Sequence, residues 1–171
     1  MVPPAMSQIA VNPLRVVAGH RASRARWSAA VLTAAVLSLF SAWVHFAFTT
    51  SHWEFWWAYG AFFIGTGAFQ GLLAAALLRW PGTWTGIVGI AGNVAIVAMY
   101  LKTRADAIPL GPHAGILEKV KPIDFACTVA EVVTIVLLLG IIGADKRRWV
   151  LNVLLAAGMA VWVLRLTNTW I

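Results

Sequence analysis

Imidazole, thiol and carboxyl side chains recur at helical spacing inside two long apolar stretches of this chain. His45 and His52 in the first stretch are seven residues apart, nearly two helical turns, so they share one helix face. Asp124, Cys127 and Glu131 in a later stretch are separated by three and four residues and also share a face. These five side chains are the types that bind Zn or Cu in proteins, and they are the candidate metal ligands.

The spacing of the two histidines argues against both of them binding one ion. An unbroken helix places His45 and His52 about 10.5 Å apart along its axis, so only a helix that ends before Thr50 would let His52 fold back. Haem with His45 as axial ligand is a weaker alternative to Cu or Zn, because no second histidine lies at membrane depth. Glu131 has a structural interpretation as well, since a buried carboxyl group can join helices by hydrogen bonds to His45, Asn93 or Gln70.

The apolar stretches that carry these residues are long enough to cross a bilayer. A helix needs roughly 20 residues to cross about 30 Å of hydrocarbon. The chain is 61% hydrophobic and only 11% charged, and its Trp residues cluster where the apolar stretches end. The sequence therefore predicts an all-α polytopic membrane protein, a bundle of five transmembrane helices at residues 27–49, 55–78, 84–101, 123–144 and 149–167.

The basic residues predict the orientation of this bundle. Eight Lys or Arg residues fall on the side of the N-terminus and five on the opposite side, which favours an N-terminus inside and a C-terminus outside. Residues 1–26 are expected to form a cytoplasmic basic segment, partly disordered, before a transmembrane domain at 27–171. The excess of Arg over Lys and the abundant Ala indicate a bacterial protein, and hence the bacterial cytoplasmic (inner) membrane. Because the net charge of +7 lies at span ends, no nucleic-acid partner is expected.

One connection is long, at residues 102–122, and it holds three prolines and two glycines. This composition rules out a long helix and predicts an ordered, turn-rich cap on the outer side. The polar faces of the first and fourth spans end on that same side. We therefore expect a ligand- or partner-binding cluster in the outer half of the bundle, under this loop. Its expected members are the polar and charged residues that face that region: His45, His52, Asn93, Arg104, Glu118, Asp124 and Glu131.

Small and amide residues on the second and third spans indicate close helix packing. Gly67 and Gly71, and the series Gly82, Gly86, Gly89 and Gly92, predict flat helix faces that let neighbours approach. Asn93 and Gln70 are expected mainly to hydrogen-bond between helices.

A longer pattern spans about residues 40–135. It comprises His45, His52-Trp53, Gly60-Ala61-Phe62-Phe63, Gln70, Asn93, Thr103-Arg104, Pro109-x-Gly111-Pro112-x-Ala114-Gly115, Glu118, Val120, Asp124 and Glu131. The pattern resembles an uncharacterised group of small multi-span bacterial membrane proteins, and the loop is its most specific element. The resemblance implies no activity, cofactor or ligand.

The sequence thus favours a small integral membrane subunit or binding module that is not an enzyme on its own. No Walker loop, nucleophile elbow, HExxH or CxxC motif is present. The alternative is a metal- or haem-binding redox component of a membrane enzyme complex. A proton- or solute-coupled transporter that depends on Glu131 is third. The expected partners are the lipid bilayer and either a larger membrane complex or further copies of the chain.

Overall fold

A computed structural model of the chain describes residues 28–106 and 108–167, and these form five long α-helices. The helices are α1 (Ala29–Phe55), α2 (Trp57–Arg79), α3 (Thr83–Ala105), α4 (Pro122–Ile141) and α5 (Ala144–Leu166). Each is long and apolar enough to span a membrane, so the prediction of an all-helical chain with five such helices is confirmed. The expectations for the basic segment at 1–26 fall outside the described residues.

The first two helices follow each other with almost no connection. The hydroxyl of Ser28 accepts a hydrogen bond from the amide of Val31 and caps the start of α1. The helix then continues past the predicted end at Thr49 as far as Phe55, and Trp56 alone, in an extended conformation, separates it from α2. Because α1 does not end before Thr50, His52 stays nearly two turns away from His45.

The predicted start of the fifth span at residue 149 is wrong, because residues 145–148, expected to connect the fourth and fifth spans, form the first turn of α5. Gly143 adopts an extended conformation at the N-cap, and Asp145 places a negative charge where the helix dipole favours one. Arg148 pairs with Asp145 one turn earlier, at 2.7 Å. The basic side chains therefore project from a helix end rather than from a loop.

The loop predicted at 102–122 is shorter in the structure, because residues 102–105 form the last turn of α3 and Pro122 begins α4. The apolar core lies in the half of the bundle that is distant from this loop. Helix α1 packs against α2 and α4, and α3 packs against α4. The core includes Val31 near the start of α1, Leu77 near the end of α2, Ile90 in the first half of α3, and Leu138 near the end of α4. The half of the bundle nearest the loop is thus left to polar and aromatic side chains.

Glycine on α3 permits the close approach of α4. A Cβ atom at Gly89 would lie 2.6 Å from Cδ1 of Leu138 and 2.9 Å from Cδ1 of Leu73. Gly86 faces Ile142 and Gly92 faces Phe69 at similarly short range, whereas a Cβ atom at Gly71 would meet open space. The predicted flat face is therefore in use on α3, and of the two glycines predicted for α2, Gly67 packs closely against Phe46 and Gly71 does not.

Helix α5 has little contact with the rest of the described chain. Val150 is its only buried residue, and its large apolar side chains, including Trp149 and Trp162, are about half exposed or more. Its far end is fixed by an ion pair between Arg165 and Asp106, 2.6 Å apart, at the end of α3. The pKa of Asp106 lies below its usual value. The hydrogen bond from Arg165 is the main cause, and the hydrogen bond from Lys102 is the second.

Candidate functional site

A cavity of about 270 Å³ lies under the 102–122 loop, between the loop ends of α1, α2, α3 and α4. Aromatic and aliphatic side chains form most of its wall, and a few polar groups converge on it. This composition is typical of small-molecule sites in proteins.

Three polar side chains of different chemistry meet at the floor of the cavity. Nε2 of His45 lies 3.1 Å from Oε1 of Glu131. Sγ of Cys127 lies 3.8 Å from that nitrogen and 3.7 Å from that oxygen. All three residues are buried. Among the described residues, they form the one group of three or more His, Cys, Asp or Glu side chains placed closely enough to bind a metal ion.

The local sequence explains why these side chains meet. Cys127 and Glu131 are four residues apart on α4, so they lie on one face. The opposing face of α1 consists of small residues, Ala34, Ala35, Ser38, Ser41 and Ala42, all buried, which let α1 approach α4 closely. His45 is the first large polar side chain beyond this small-residue face, and it reaches across to Glu131.

Phe63 of α2 holds both histidines of α1 on the wall of the cavity. The ring of His52 stacks on Phe63 with centroids 3.8 Å apart, and the ring of His45 meets it edge-on at 5.4 Å. Nδ1 of His52 lies 2.8 Å from the carbonyl oxygen of Phe48, one turn earlier. His52 therefore lines the cavity but does not belong to the group of possible metal ligands, and Asp124 does not belong to it either.

The loop is fixed over the cavity by contacts with the end of α1, with Trp56 and with the start of α2. The hydroxyl of Tyr59 donates a hydrogen bond to the carbonyl oxygen of Leu110, 2.9 Å away. Gly111 follows with φ of 81°, a conformation that favours glycine, and a Cβ atom there would lie 2.7 Å from Trp56 and Tyr59. The ring of His113 packs against Phe55 at 5.0 Å. The loop thus covers the cavity closely.

Arg104 joins α3, the loop and the start of α4. Its guanidinium group lies 3.3 Å from Glu118 in the loop and 3.1 Å from Asp124 in the first turn of α4. It also lies over the ring of Tyr100, 4.0 Å from the centroid, and donates to the hydroxyl of Thr103. The amide of Glu118 donates to the carbonyl oxygen of Thr103 at 3.0 Å. One cation thus binds two carboxylates at the edge of the cavity.

Asn93 lies outside the cavity lining and away from the other expected site residues. It accepts a hydrogen bond from Gln70 at 2.9 Å and donates one to the carbonyl oxygen of Gly89 at 2.8 Å. Both amide side chains are fully buried between α2 and α3. Asn93 thus takes the interhelical role that the sequence also suggested for it.

The structure therefore divides the expected site residues into two neighbouring groups of three and two single residues, His52 and Asn93, of which Asn93 lies outside the cavity lining. His45, Cys127 and Glu131 form the floor, whereas Arg104, Glu118 and Asp124 form the edge. His52 lies on the wall. Three residues that line the cavity were not predicted as site residues: Tyr59, Phe63 and Tyr100. Tyr59 and Phe63 are four residues apart on α2, and this spacing was the available sign that they share a face.

No protein-family model, no curated protein and no solved structure matches this chain. The functional conclusion therefore depends on the residues and geometry of the cavity.

Proposed function

We propose that this chain is a multi-pass membrane protein of the bacterial cytoplasmic membrane that binds a small ligand in the cavity under the 102–122 loop. Five apolar helices, with many large apolar side chains exposed, support the membrane location, because such a surface needs lipid as its solvent. We further propose that the N-terminus lies on the inner side of the membrane and the C-terminus on the outer side. The described residues alone carry four basic residues on one side and five on the other, so this orientation depends on the arginines within residues 1–26.

The cavity itself is the single observation on which the binding role depends. Its volume of about 270 Å³ is well above the roughly 150 Å³ that holds a benzene molecule in an apolar protein interior. Phe63, Met99 and Tyr100 offer apolar and aromatic surface, and the His45–Glu131 pair offers hydrogen-bonding groups at the floor. A small molecule with an apolar body and one polar end fits this arrangement.

The charges that line the cavity favour a neutral or cationic ligand over an anionic one. Glu118, Asp124 and Glu131 contribute three carboxyl groups, and Arg104 is the one Lys or Arg among the described lining residues. Its charge is already matched by two of those carboxylates. An anion would therefore meet no unpaired cation there, whereas a cation would meet a net acidic surface.

The occupancy of the cavity can be tested by native mass spectrometry of the full chain in detergent. Met99→Trp places a large side chain in the cavity, and Met159→Trp places the same side chain on an exposed face of α5 as a matched control. We expect the wild type and Met159→Trp to carry a bound small molecule and Met99→Trp to lose it. Equal occupancy in both variants, or an empty wild type, would remove the basis for the binding role.

The charge preference can be tested at Cys127, because it is the only cysteine in the chain. We expect the ratio of the modification rate with a cationic methanethiosulfonate reagent to that with an anionic one to be raised at this thiol. The reference ratio comes from a Cys127→Ala protein with Ser51→Cys added at the exposed end of α1, and the ratio at Cys127 is expected to be several-fold higher. A ratio at Cys127 that is equal to or below the reference would contradict the proposed preference.

A role as a subunit of a larger assembly is the second candidate function, and the exposure of α5 favours it. Only 6% of the apolar span of this helix is buried, compared with 44% of α1. We propose that α5 docks on another membrane chain or on a second copy. Photo-crosslinking from position 162 in native membranes is expected to give a discrete adduct, and crosslinks to lipid alone would exclude this role. Position 39, an exposed leucine on α1, serves as the control.

A further inference from the structure

We propose that His45, Cys127 and Glu131 bind one Zn²⁺ ion at the floor of the cavity, and that its fourth coordination position faces the cavity. This inference deepens the proposed function by naming the chemistry of the ligand. It depends on that function only for the open fourth position. Three ligands from protein side chains and one open position are the usual arrangement of reactive zinc sites, whereas structural sites are closed by four.

The distances between the three ligand atoms agree with a single tetrahedral ion. Zinc lies about 2.0–2.2 Å from nitrogen and oxygen ligands and about 2.3 Å from sulfur, so tetrahedral angles place the nitrogen and oxygen about 3.3 Å apart and the sulfur about 3.5 Å from each. The observed separations are 3.1 Å for His45 to Glu131, 3.8 Å for Cys127 to His45, and 3.7 Å for Cys127 to Glu131. Each value differs from the tetrahedral one by about 0.3 Å or less, a shift that a side-chain rotation supplies.

Hydrogen bonding alone accounts for only part of this arrangement. The contact between His45 and Glu131 is a normal hydrogen bond, but a thiol is a weak donor and acceptor. The helical spacing places Cys127 beside Glu131, but the sulfur atom also lies 3.8 Å from Nε2 of His45 on another helix. One shared ion would use all three contacts, because each of the three atoms is a metal ligand.

The charges of the site favour a divalent ion. Neutral imidazole, a thiolate and a carboxylate carry two negative charges together, and Zn²⁺ cancels them in a buried environment where unpaired charge is costly. A monovalent copper ion would leave one negative charge uncompensated. The mixture of nitrogen, sulfur and oxygen ligands is also one that zinc accepts, whereas Cu(I) is selected by soft sulfur ligands.

The edge of the cavity suits the passage of a cation. Glu118 and Asp124 both line the cavity, and their side chains are 43% and 28% exposed, compared with 2% for Glu131 at the floor. Arg104 offsets one of their two charges, so this region stays net negative. An arriving ion would meet carboxylates before it reaches the buried thiol and carboxyl group.

Ion binding has a defined proton balance. The empty site is electrically neutral when the thiol is protonated and one further proton is held by the His45–Glu131 pair. Binding of Zn²⁺ forms bonds to Sγ, to a carboxylate oxygen and to Nε2, and it releases both protons to water. The affinity for zinc is therefore expected to fall as the pH is lowered, as for other thiolate-containing sites.

The test uses the full chain in detergent, stripped with a chelator and titrated with ZnCl₂, followed by elemental analysis after gel filtration. We expect about one zinc per wild-type chain. We expect at least a tenfold loss of affinity in each of Cys127→Ser, Glu131→Gln and His45→Gln. Glu54→Gln is the matched control, since this exposed carboxyl group on α1 lies outside the cavity lining and the three-residue group, and the variant is expected to bind zinc as the wild type does.

Cobalt supplies a readout that separates ligation from folding. Co²⁺ in the wild-type site is expected to give a sulfur-to-metal charge-transfer band and the intense visible bands of a tetrahedral ion, and Cys127→Ser is expected to lose the charge-transfer band. Zinc binding with an otherwise empty cavity would support the ion site and remove the proposed organic ligand. A wild-type chain that binds no zinc, or a Cys127→Ser chain that keeps the charge-transfer band, would overturn the inference.

Discussion

The imidazole of His45 and the carboxyl group of Glu131 meet 3.1 Å apart inside the bundle, with 10% and 2% of their side-chain surfaces exposed. The two residues are 86 positions apart in the sequence, so their contact links α1 to α4 across the floor of the cavity. A polar contact of this kind positions the helices and also carries the chemistry of the site.

Replacement of His45 with Phe is expected to destabilise the bundle, because it keeps a ring of similar shape but leaves Glu131 without that partner. We expect a loss of about 1–3 kcal/mol, between the value of a hydrogen bond across membrane helices and that of breaking a buried ion pair. Unfolding in SDS, followed by tryptophan fluorescence, measures it. His52→Phe keeps the stacking on Phe63 and is expected to cost less than half as much. Equal losses in the two variants would contradict this ranking.

The amide pair between α2 and α3 is expected to contribute stability without affecting the cavity. Asn93→Ala removes the acceptor of the hydrogen bond from Gln70 and leaves a buried donor unpaired, at a cost of about 1–2 kcal/mol. Asn152→Ala on the exposed side of α5 is the control and is expected to have no measurable effect. The rate of Cys127 modification should stay at the wild-type value in Asn93→Ala, and a large change in it would place Asn93 in the site after all.

Gly89 is expected to tolerate a larger side chain poorly. Gly89→Val would force Leu73 and Leu138 away from the α3 backbone, and overpacking of this kind typically costs about 1–3 kcal/mol. Gly71→Val meets open space and is expected to be near neutral. The SDS midpoint of each variant measures the effect. A neutral Gly89→Val would show that α4 is not held against α3 at this point.

Loss of the Arg104 ion pairs is expected to loosen the loop rather than to unfold the bundle. Arg104→Met keeps much of the aliphatic stem but removes the contacts with Glu118 and Asp124, so amide hydrogen exchange should rise in residues 108–118. The core helices should exchange as before. Arg148→Met, whose ion pair is solvent-exposed and lies within α5, is the control and should leave the loop unchanged.

The attachment of α5 to the end of α3 is expected to depend on pH. The pKa of Asp106 is lowered by Arg165 and Lys102 in the folded state, so its ion pairs stabilise the fold above the usual pKa of 3.8. This contribution is lost as the pH falls through the lowered value. The difference in SDS midpoint between wild type and Arg165→Gln should therefore be present at about pH 6 and shrink below about pH 3.8. A difference that grows on acidification would show the opposite linkage.

The helices were predictable from sequence because hydropathy over about 20 residues decides whether a segment can span a membrane. The partner of Glu131 could not be predicted, because the spacing of residues gives the face and depth of a side chain but does not give the helix that lies opposite. The sequence therefore left His45, Asn93 and Gln70 open as partners of Glu131. The structure resolves this through the small residues of α1, which bring His45 to α4, and through the rotation of α3, which turns Asn93 toward α2.

The end of α1 shows a second limit of sequence analysis. The prediction ended this helix at Thr49 because residues 50–54 are polar or charged apart from Trp53, whereas the helix continues through them to Phe55. Phe63 contacts both histidines because α1 continues as a helix to Phe55. The same continuation keeps His52 out of the group of possible metal ligands. Helix ends at a polar boundary are decided by tertiary contacts, and these are invisible in one sequence.

The single residue between α1 and α2 constrains how anything can reach the floor. Because Trp56 leaves no slack, the two helices form one stiff hairpin that bears His45, Phe63 and Tyr59 together. Separation of α1 from α2 would disrupt the floor of the cavity, its wall and the hydrogen bond that holds the loop. Entry is therefore expected at the edge of the cavity between α3, the loop and α4, and the ion pairs of Arg104 with Glu118 and Asp124 are expected to set its rate.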